Sequence, residues 1–178
     1  MADARGQLRE LTAAARSIYV DVREAILGLR SPITPELGLV GAIEDYARRF
    51  AEAAKLVIVV DASSEARATT IGPEAGAQVF RIVQESLTNV RKHASAARVG
   101  IRVHRIDDDL MVELDDDGRG FDLPSPWQSA DWPQYGQAAM QERAAGIGAR
   151  ISWGTGAGGG GFVRLVVPVN GLILEGAS

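Results

Sequence analysis

Leu8, Leu11, Ala15, Ile18, Val22, Ala25 and Leu29 recur at alternating steps of three and four along the first thirty residues. That spacing lines one seam of a helix roughly 33 Å long, the a/d pattern of a coiled coil or bundle. Arg5, Arg9, Glu10, Arg16, Asp21, Arg23 and Glu24 largely take the remaining faces. A lone helix cannot bury such a seam. The pattern therefore predicts a partner helix from another copy or an adjoining segment, the alternative being that the seam packs on the chain's own globular body.

Ser31-Pro32-Ile33-Thr34-Pro35 ends that helix, and Thr34 as N-cap with Pro35 at the first helical position starts the next. Leu39, Ile43, Ala47 and Phe50 give it one apolar face up to about Lys55. Leu56-Val57-Ile58-Val59-Val60 is a continuous, largely β-branched run and predicts a buried strand. After a polar loop, Gly72-Pro73 opens a third helix reaching about His93. The period then switches to two. Val99, Ile101 and Val103 alternate inward, as do Leu110, Val112 and Leu114, around a charged turn at Asp107-Asp108-Asp109. Residues 121–135 hold Pro124, Pro126 and Pro133 and read as a long loop, followed by a short helix over Ala138–Ile147. Strands at Ile151–Trp153 and Phe162–Val169 close the pattern. The expected class is α+β, a mixed sheet with helices on one face, preceded by a separate helical arm. The expected division is 1–31 as arm, 32–170 as globular domain and 171–178 as tail.

Composition narrows the functional classes. Of 178 residues, 46% are apolar and 24% charged, a balance that excludes a wholly disordered chain. The absence of cysteine removes disulfides and thiolate metal sites, and two histidines, His93 and His104, are too few for a histidine-built one. A net charge of −4 offers no global attraction for nucleic acid. No run approaches the ~20 apolar residues of a spanning helix, and Met1–Leu11 lacks a signal-peptide core, so direct membrane contact is not expected from this segment.

Four elements carry candidate chemistry. On the third helix, Glu85, Asn89 and Lys92/His93 form a polar stripe over two turns, where a carboxylate, an amide oxygen and a cation could together bind a hard metal ion and a phosphate. A solvated face would look the same. Asp116-Asp117-Gly118-Arg119-Gly120-Phe121 follows a strand directly. A buried Asp116 there could accept a hydrogen bond from an exocyclic amine such as adenine's, and Gly118 and Gly120 would permit close approach. The alternative is an acidic turn. Gly136-Gln137-Ala138-Ala139-Met140 opens a helix whose N–H groups could hold an anion. Gly158-Gly159-Gly160-Gly161 precedes the last strand and could equally be a flexible hairpin loop.

In this order the four elements resemble the ATP-binding domain of the gyrase/histidine-kinase/MutL superfamily, the Bergerat fold, and more closely the sensor histidine kinases that signal to NarL-like response regulators. Residues 81–94 are similar to that subgroup's N box, residues 116–122 to the G1 box, and Gly136 through Arg143 to the G2 region. The likeness runs from about Pro35 to Pro168, and residues 22–30 resemble the end of the second dimerisation helix. It implies ATP and Mg²⁺ as cofactors. Asp116 would read the adenine amine, with Gly118, Gly120, Met140, Gly160 and Gly161 around the nucleotide. Asn89 would ligate Mg²⁺ with Glu85 beside it, Lys92 or His93 would touch phosphate oxygens, and Gly136 would hinge a lid. Ala139, Gln137 and Gly160-Gly161 depart from the family pattern. Neither His93 nor His104 has the context of a phosphoacceptor. The resemblance therefore implies the catalytic part of a cytoplasmic kinase segment, in a parent that can be membrane-anchored. It would transfer the γ-phosphate to a histidine outside this chain for relay to a NarL-like regulator, as a homodimer formed through the N-terminal helix. The alternatives are a nucleotide-dependent protein-binding regulator of the anti-sigma-factor kind and a non-catalytic scaffold.

Overall fold

Helices with one apolar face and strands of period two can bury themselves together only as layers. The computed structural model describes residues 33–34, 36–120 and 132–169, the last segment by backbone alone up to residue 135. All of these lie within the second of the two units into which the chain divides, Ile33–Ser178. The expected arm over 1–31 and tail over 171–178 fall outside the described residues, as do residues 121–131 of the expected lid.

The elements run α1 (Gly38–Ala54), β1 (Val57–Ala62), α2 (Ser64–Ala68), α3 (Pro73–Asn89), a π-helical turn (Val90–Ala94), β2 (Arg98–Ile106), β3 (Asp109–Asp116), α4 (Trp132–Gly146), β4 (Arg150–Thr155) and β5 (Gly161–Pro168). The strands form one mixed sheet in the order β1-β2-β3-β5-β4. Only β1 and β2 are parallel; the remaining pairs are antiparallel.

One face of the sheet makes the core. Val99, Ile101 and Val103 on β2, Leu110, Val112 and Leu114 on β3, and Leu165 and Val167 on β5 are buried against Ile43, Val79, Ile82, Val83 and Leu87 of the helices. The rings of Tyr46 and Phe80 meet edge-on at 5.4 Å, fastening α1 to α3. Helix α1 ends where Lys55 turns left-handed at φ 57°.

Several expectations change. Helix α1 starts at Gly38 rather than Pro35, because a turn closed by the Gly38 N–H on the Thr34 carbonyl precedes it; the Leu37 N–H still reaches Thr34 Oγ1 at 3.3 Å. The run through Val60 is not buried on both faces: β1 is an edge strand, with Val57 58% and Val59 62% exposed. The polar loop before α3 contains helix α2, capped by Ser63 Oγ accepting from Ala66 N–H at 3.1 Å. Helix α4 begins at Trp132, so the last residues of the expected loop are helical and Pro133 sits in the first turn, where its missing N–H costs nothing.

Candidate functional site

The polar stripe of α3 ends at one edge of the core layer, and there the other elements converge on it. The helix stays α-helical through Asn89 and then widens to a π turn over Val90–Ala94, which closes with Ser95 left-handed at φ 54°. Such bulges are rare in helices and concentrate at functional positions. This one carries Lys92 and His93. Neighbouring protein strips water from His93, and Lys92 and Arg119 add positive charge; together they hold its imidazole below the ordinary value, with Glu85 opposing the shift. Glu85, Lys92, His93 and Arg119 thus share one electrostatic neighbourhood.

Asp116 ends β3 beside them. Its Oδ1 accepts from the Gly118 N–H at 2.8 Å. Burial pushes its carboxyl up from the ordinary value, and hydrogen bonds from the Gly118 and Gly161 backbone offset only part of that rise. A carboxylate held desolvated with N–H donors on one side is an acceptor prepared for a donor on the other. The glycines around it are required by geometry. A Cβ on Gly118 would collide with the Ala94 carbonyl, and one on Gly160 with the carbonyl of Asp116 itself. Gly120 has φ +71°, and a Cβ there would lie 2.7 Å from Thr155 Oγ1.

Gly136 joins α4 to the same place. A Cβ at that position would stand 2.6 Å from Glu85 Oε1 and 3.9 Å from Asn89 Nδ2, so both α3 side chains face this glycine. Gly136 lies within α4, however, not at its start as the sequence suggested; the helix opens earlier, at Trp132. Met140 is 1% exposed, with its sulfur 3.7 Å from Ser86 Oγ, so it sits in the core and fixes α4 on α3. His104 lies elsewhere, on β2, with Nε2 3.1 Å from Asp61 Oδ2.

The structure therefore sets Glu85 and Asn89 against Gly136, places Glu85, Lys92 and His93 in one electrostatic neighbourhood, and gathers Gly118, Gly160 and Gly161 around Asp116, with Gly120 against Thr155 and Met140 in the core. Sequence reasoning missed Asp117, Arg119 and Thr155. Arg119 N–H donates to the Ala94 carbonyl at 3.0 Å, and Asp117 binds the backbone that follows the π turn. Asp117 adjoins a singled-out residue, but nothing in its spacing told it from any acidic turn residue.

The donor set suits a hard cation held jointly with a ligand. Glu85 and Asn89 offer a carboxylate and an amide, and no group of three or more acidic or histidine ligands exists among the described residues. Mg²⁺ is commonly held by one or two protein oxygens plus substrate phosphates, and this arrangement fits that habit.

Residues 74–170, more than half the chain, match the family described as histidine kinase-, DNA gyrase B-, and HSP90-like ATPase. The chain is 29% identical to an uncharacterized sensor-like histidine kinase of Chloroflexus aurantiacus, over 94% of this chain and 28% of that protein. It is 26% identical to the signal transduction histidine-protein kinase/phosphatase DegS of Brevibacillus brevis, over 94% of this chain and 42% of that one. The chain thus spans less than half the length of both curated relatives. Among solved structures, the histidine kinase domain of the Erythrobacter litoralis blue-light activated kinase matches with TM-score 0.59 at 23% identity, covering 77% of this chain and 65% of that one. Full-length ShkA in complex with AMPPNP matches with TM-score 0.57 at 17% identity, covering 94% and 39%. These likenesses show a shared fold, and the match over residues 74–170 shows the lineage: this chain is a member of the histidine kinase-, DNA gyrase B-, and HSP90-like ATPase family.

Proposed function

We propose that this chain is the ATP-binding catalytic part of a two-component sensor histidine kinase, of the subgroup that signals to NarL-like response regulators. It would hold Mg·ATP and deliver the γ-phosphate to a histidine other than His93 and His104. The observation that carries this reading is the meeting of Asp116, the end of α3 and Gly136, because it pairs an adenine-type acceptor with a phosphate-and-metal end. Asp116 accepts from the exocyclic amine. Gly160 and Gly161 keep the wall of that pocket at backbone level, and the Gly161 N–H steadies the carboxylate where the family pattern has a hydroxyl residue. Glu85 and Asn89 would hold Mg²⁺, which neutralises charge on the phosphates, and Lys92 and His93 add positive charge beside them. The relatives' names and the seam over residues 8–29 support a dimeric kinase that relays phosphate to a regulator.

Two substitutions of Asp116, to the Asn amide and to Ala, separate folding from function. A carboxyl whose value is raised by burial favours its neutral form in the fold, so its contribution to stability declines as pH climbs through that raised value. At neutral pH the amide should therefore leave thermal stability unchanged or higher. Asp116→Ala, which removes the acceptor altogether, loses a charge-assisted bond worth ~1.5–3 kcal/mol and should weaken ATP binding by roughly 10–100-fold. Titration calorimetry showing equal ATP and GTP affinity in the native chain would sink the assignment. For the metal, Asn89→Ala should abolish the affinity gained on adding Mg²⁺ while leaving adenosine binding nearly unchanged.

A further inference from the structure

Asp117 is neighbour to the adenine-type acceptor, yet its side chain is committed to backbone. Oδ1 accepts from Ala97 N–H at 2.7 Å and Arg98 N–H at 2.8 Å, and Oδ2 accepts from Arg98 Nε at 3.2 Å. Its own N–H donates to the Arg98 carbonyl at 3.2 Å. Those donors hold its carboxyl below the ordinary value. Two residues on, Arg119 N–H closes on the Ala94 carbonyl at 3.0 Å, and Gly118 between them presses against Ala94 so closely that no Cβ fits. Residues 117–119 are thus laced to residues 94–98, and residue 94 ends the π turn that carries Lys92 and His93.

We infer that Asp117 is a positioning residue that sets the separation between the adenine-reading carboxylate of Asp116 and the phosphate-binding end formed by Asn89, Lys92 and His93. The inference rests on the nucleotide-binding reading above and deepens it. Asp116 belongs to the end of a strand, and Asn89 through His93 to the end of a helix. Asp117 contributes two of the backbone bonds that join the strand end to the segment following the helix, beside the Arg119 N–H and the β2–β3 pairing of Val99 with Asp116. A ligand that touches only one end is indifferent to their spacing. One that spans both, a nucleoside with its phosphates, gains only when the spacing is right.

The consequence is a split between ligands. In Asp117→Ala, affinity for Mg·ATP should fall about tenfold, while adenosine affinity stays within about twofold. Asp117→Asn retains an oxygen able to accept from both N–H groups and should recover most of the Mg·ATP affinity. Arg98→Ala, which removes only the Nε bond, should lose no more than about threefold. Titration calorimetry of the whole chain with adenosine and with Mg·ATP measures all four proteins, and circular dichroism at the same temperature verifies that each is folded. Equal Mg·ATP affinity in native chain and Asp117→Ala overturns the inference. So does an equal loss for both ligands, which would mean that the Asp116 loop had simply collapsed, and so does failure of Asp117→Asn to recover. If the native chain binds adenosine and Mg·ATP not at all, the nucleotide-binding reading fails, and the inference with it.

Discussion

The two faces of the sheet are made by alternate residues of the same strands, yet they are held by different forces. Toward the helices, Val99, Ile101, Val103, Val112, Leu114 and Leu165 are fully buried and interlock with α1, α3 and α4. Away from them, the same strands present Arg102, Glu113, Asp115 and Arg164. Glu113 is only 6% exposed because two guanidinium groups cover it, Arg102 at 2.8 Å and Arg164 from the opposite strand. Burial by itself would raise the Glu113 carboxyl; the hydrogen bonds from Arg102 and Arg164 outweigh it and hold the value below the ordinary one. Arg102 also meets Asp115, 2.8 Å away. The apolar face has a neighbouring layer to exclude water for it, whereas the outer face must shield the buried charge of Glu113 with its own side chains. The candidate site sits at the end of the covered layer, where the helix termini bring polar groups to a place already dry enough to give them strength.

The contrast can be broken at three levels. The largest effect belongs to the covered face: Ile101→Ala removes a side chain that is completely buried and should cost about 3 kcal/mol, within the usual range for such truncations. Urea denaturation should show an unchanged slope and a lower midpoint. Less than about 1 kcal/mol would mean that the layer packs far more loosely than its burial suggests. On the open face, Glu113→Gln leaves two guanidinium groups without their shared charge. Their side chains are 44% and 50% exposed, so solvent screens much of the interaction, and about 1–2 kcal/mol is expected at neutral pH. Because the Glu113 value is depressed, its contribution is present above the unfolded value of 4.5 and is lost as pH falls through the lower folded one. The native chain should therefore lose stability below about pH 4.5 more steeply than the glutamine variant. Parallel acid titrations of the two proteins would remove the ionic account. Smallest of all is Val59→Thr on the edge strand, at 62% exposure, which should shift stability by no more than about 0.5 kcal/mol. A loss above 1 kcal/mol would show that something covers that strand in solution.

Legibility in the sequence followed the physics of each feature. The period-two strands β2 and β3 were readable almost to the residue, because only half of their residues could be buried and the alternation said which. The continuous run in β1 misled for the complementary reason: apolar residues on both faces do not say whether both faces are covered, and an edge strand with one open face satisfies the same pattern. Helix α4 was half legible. The helix over Ala138–Ile147 was readable, but its first turn lies among prolines, which usually signal a loop and here open a helix. The candidate residues Glu85, Asn89, Asp116 and Gly136 stood out as a polar stripe, a glycine-rich turn and a helix opening, each with a plainer alternative, and their roles came only from the resemblance. The bonds around them were not, since Asp117 and Arg119 act through contacts with residues far along the chain.

By itself the sequence determined the element types, the apolar face of each and the residues able to carry chemistry, because propensity, period and functional groups are local properties. Only the tertiary structure decided which strands lie at the edges, that Asp116 is half-buried while Asp117 binds backbone, and that Glu85 and Asn89 face Gly136. Each of those facts depends on which distant segment comes to rest beside a residue. That choice is made by the whole core at once, because a strand end and a helix end approach each other only after the layers between them have packed.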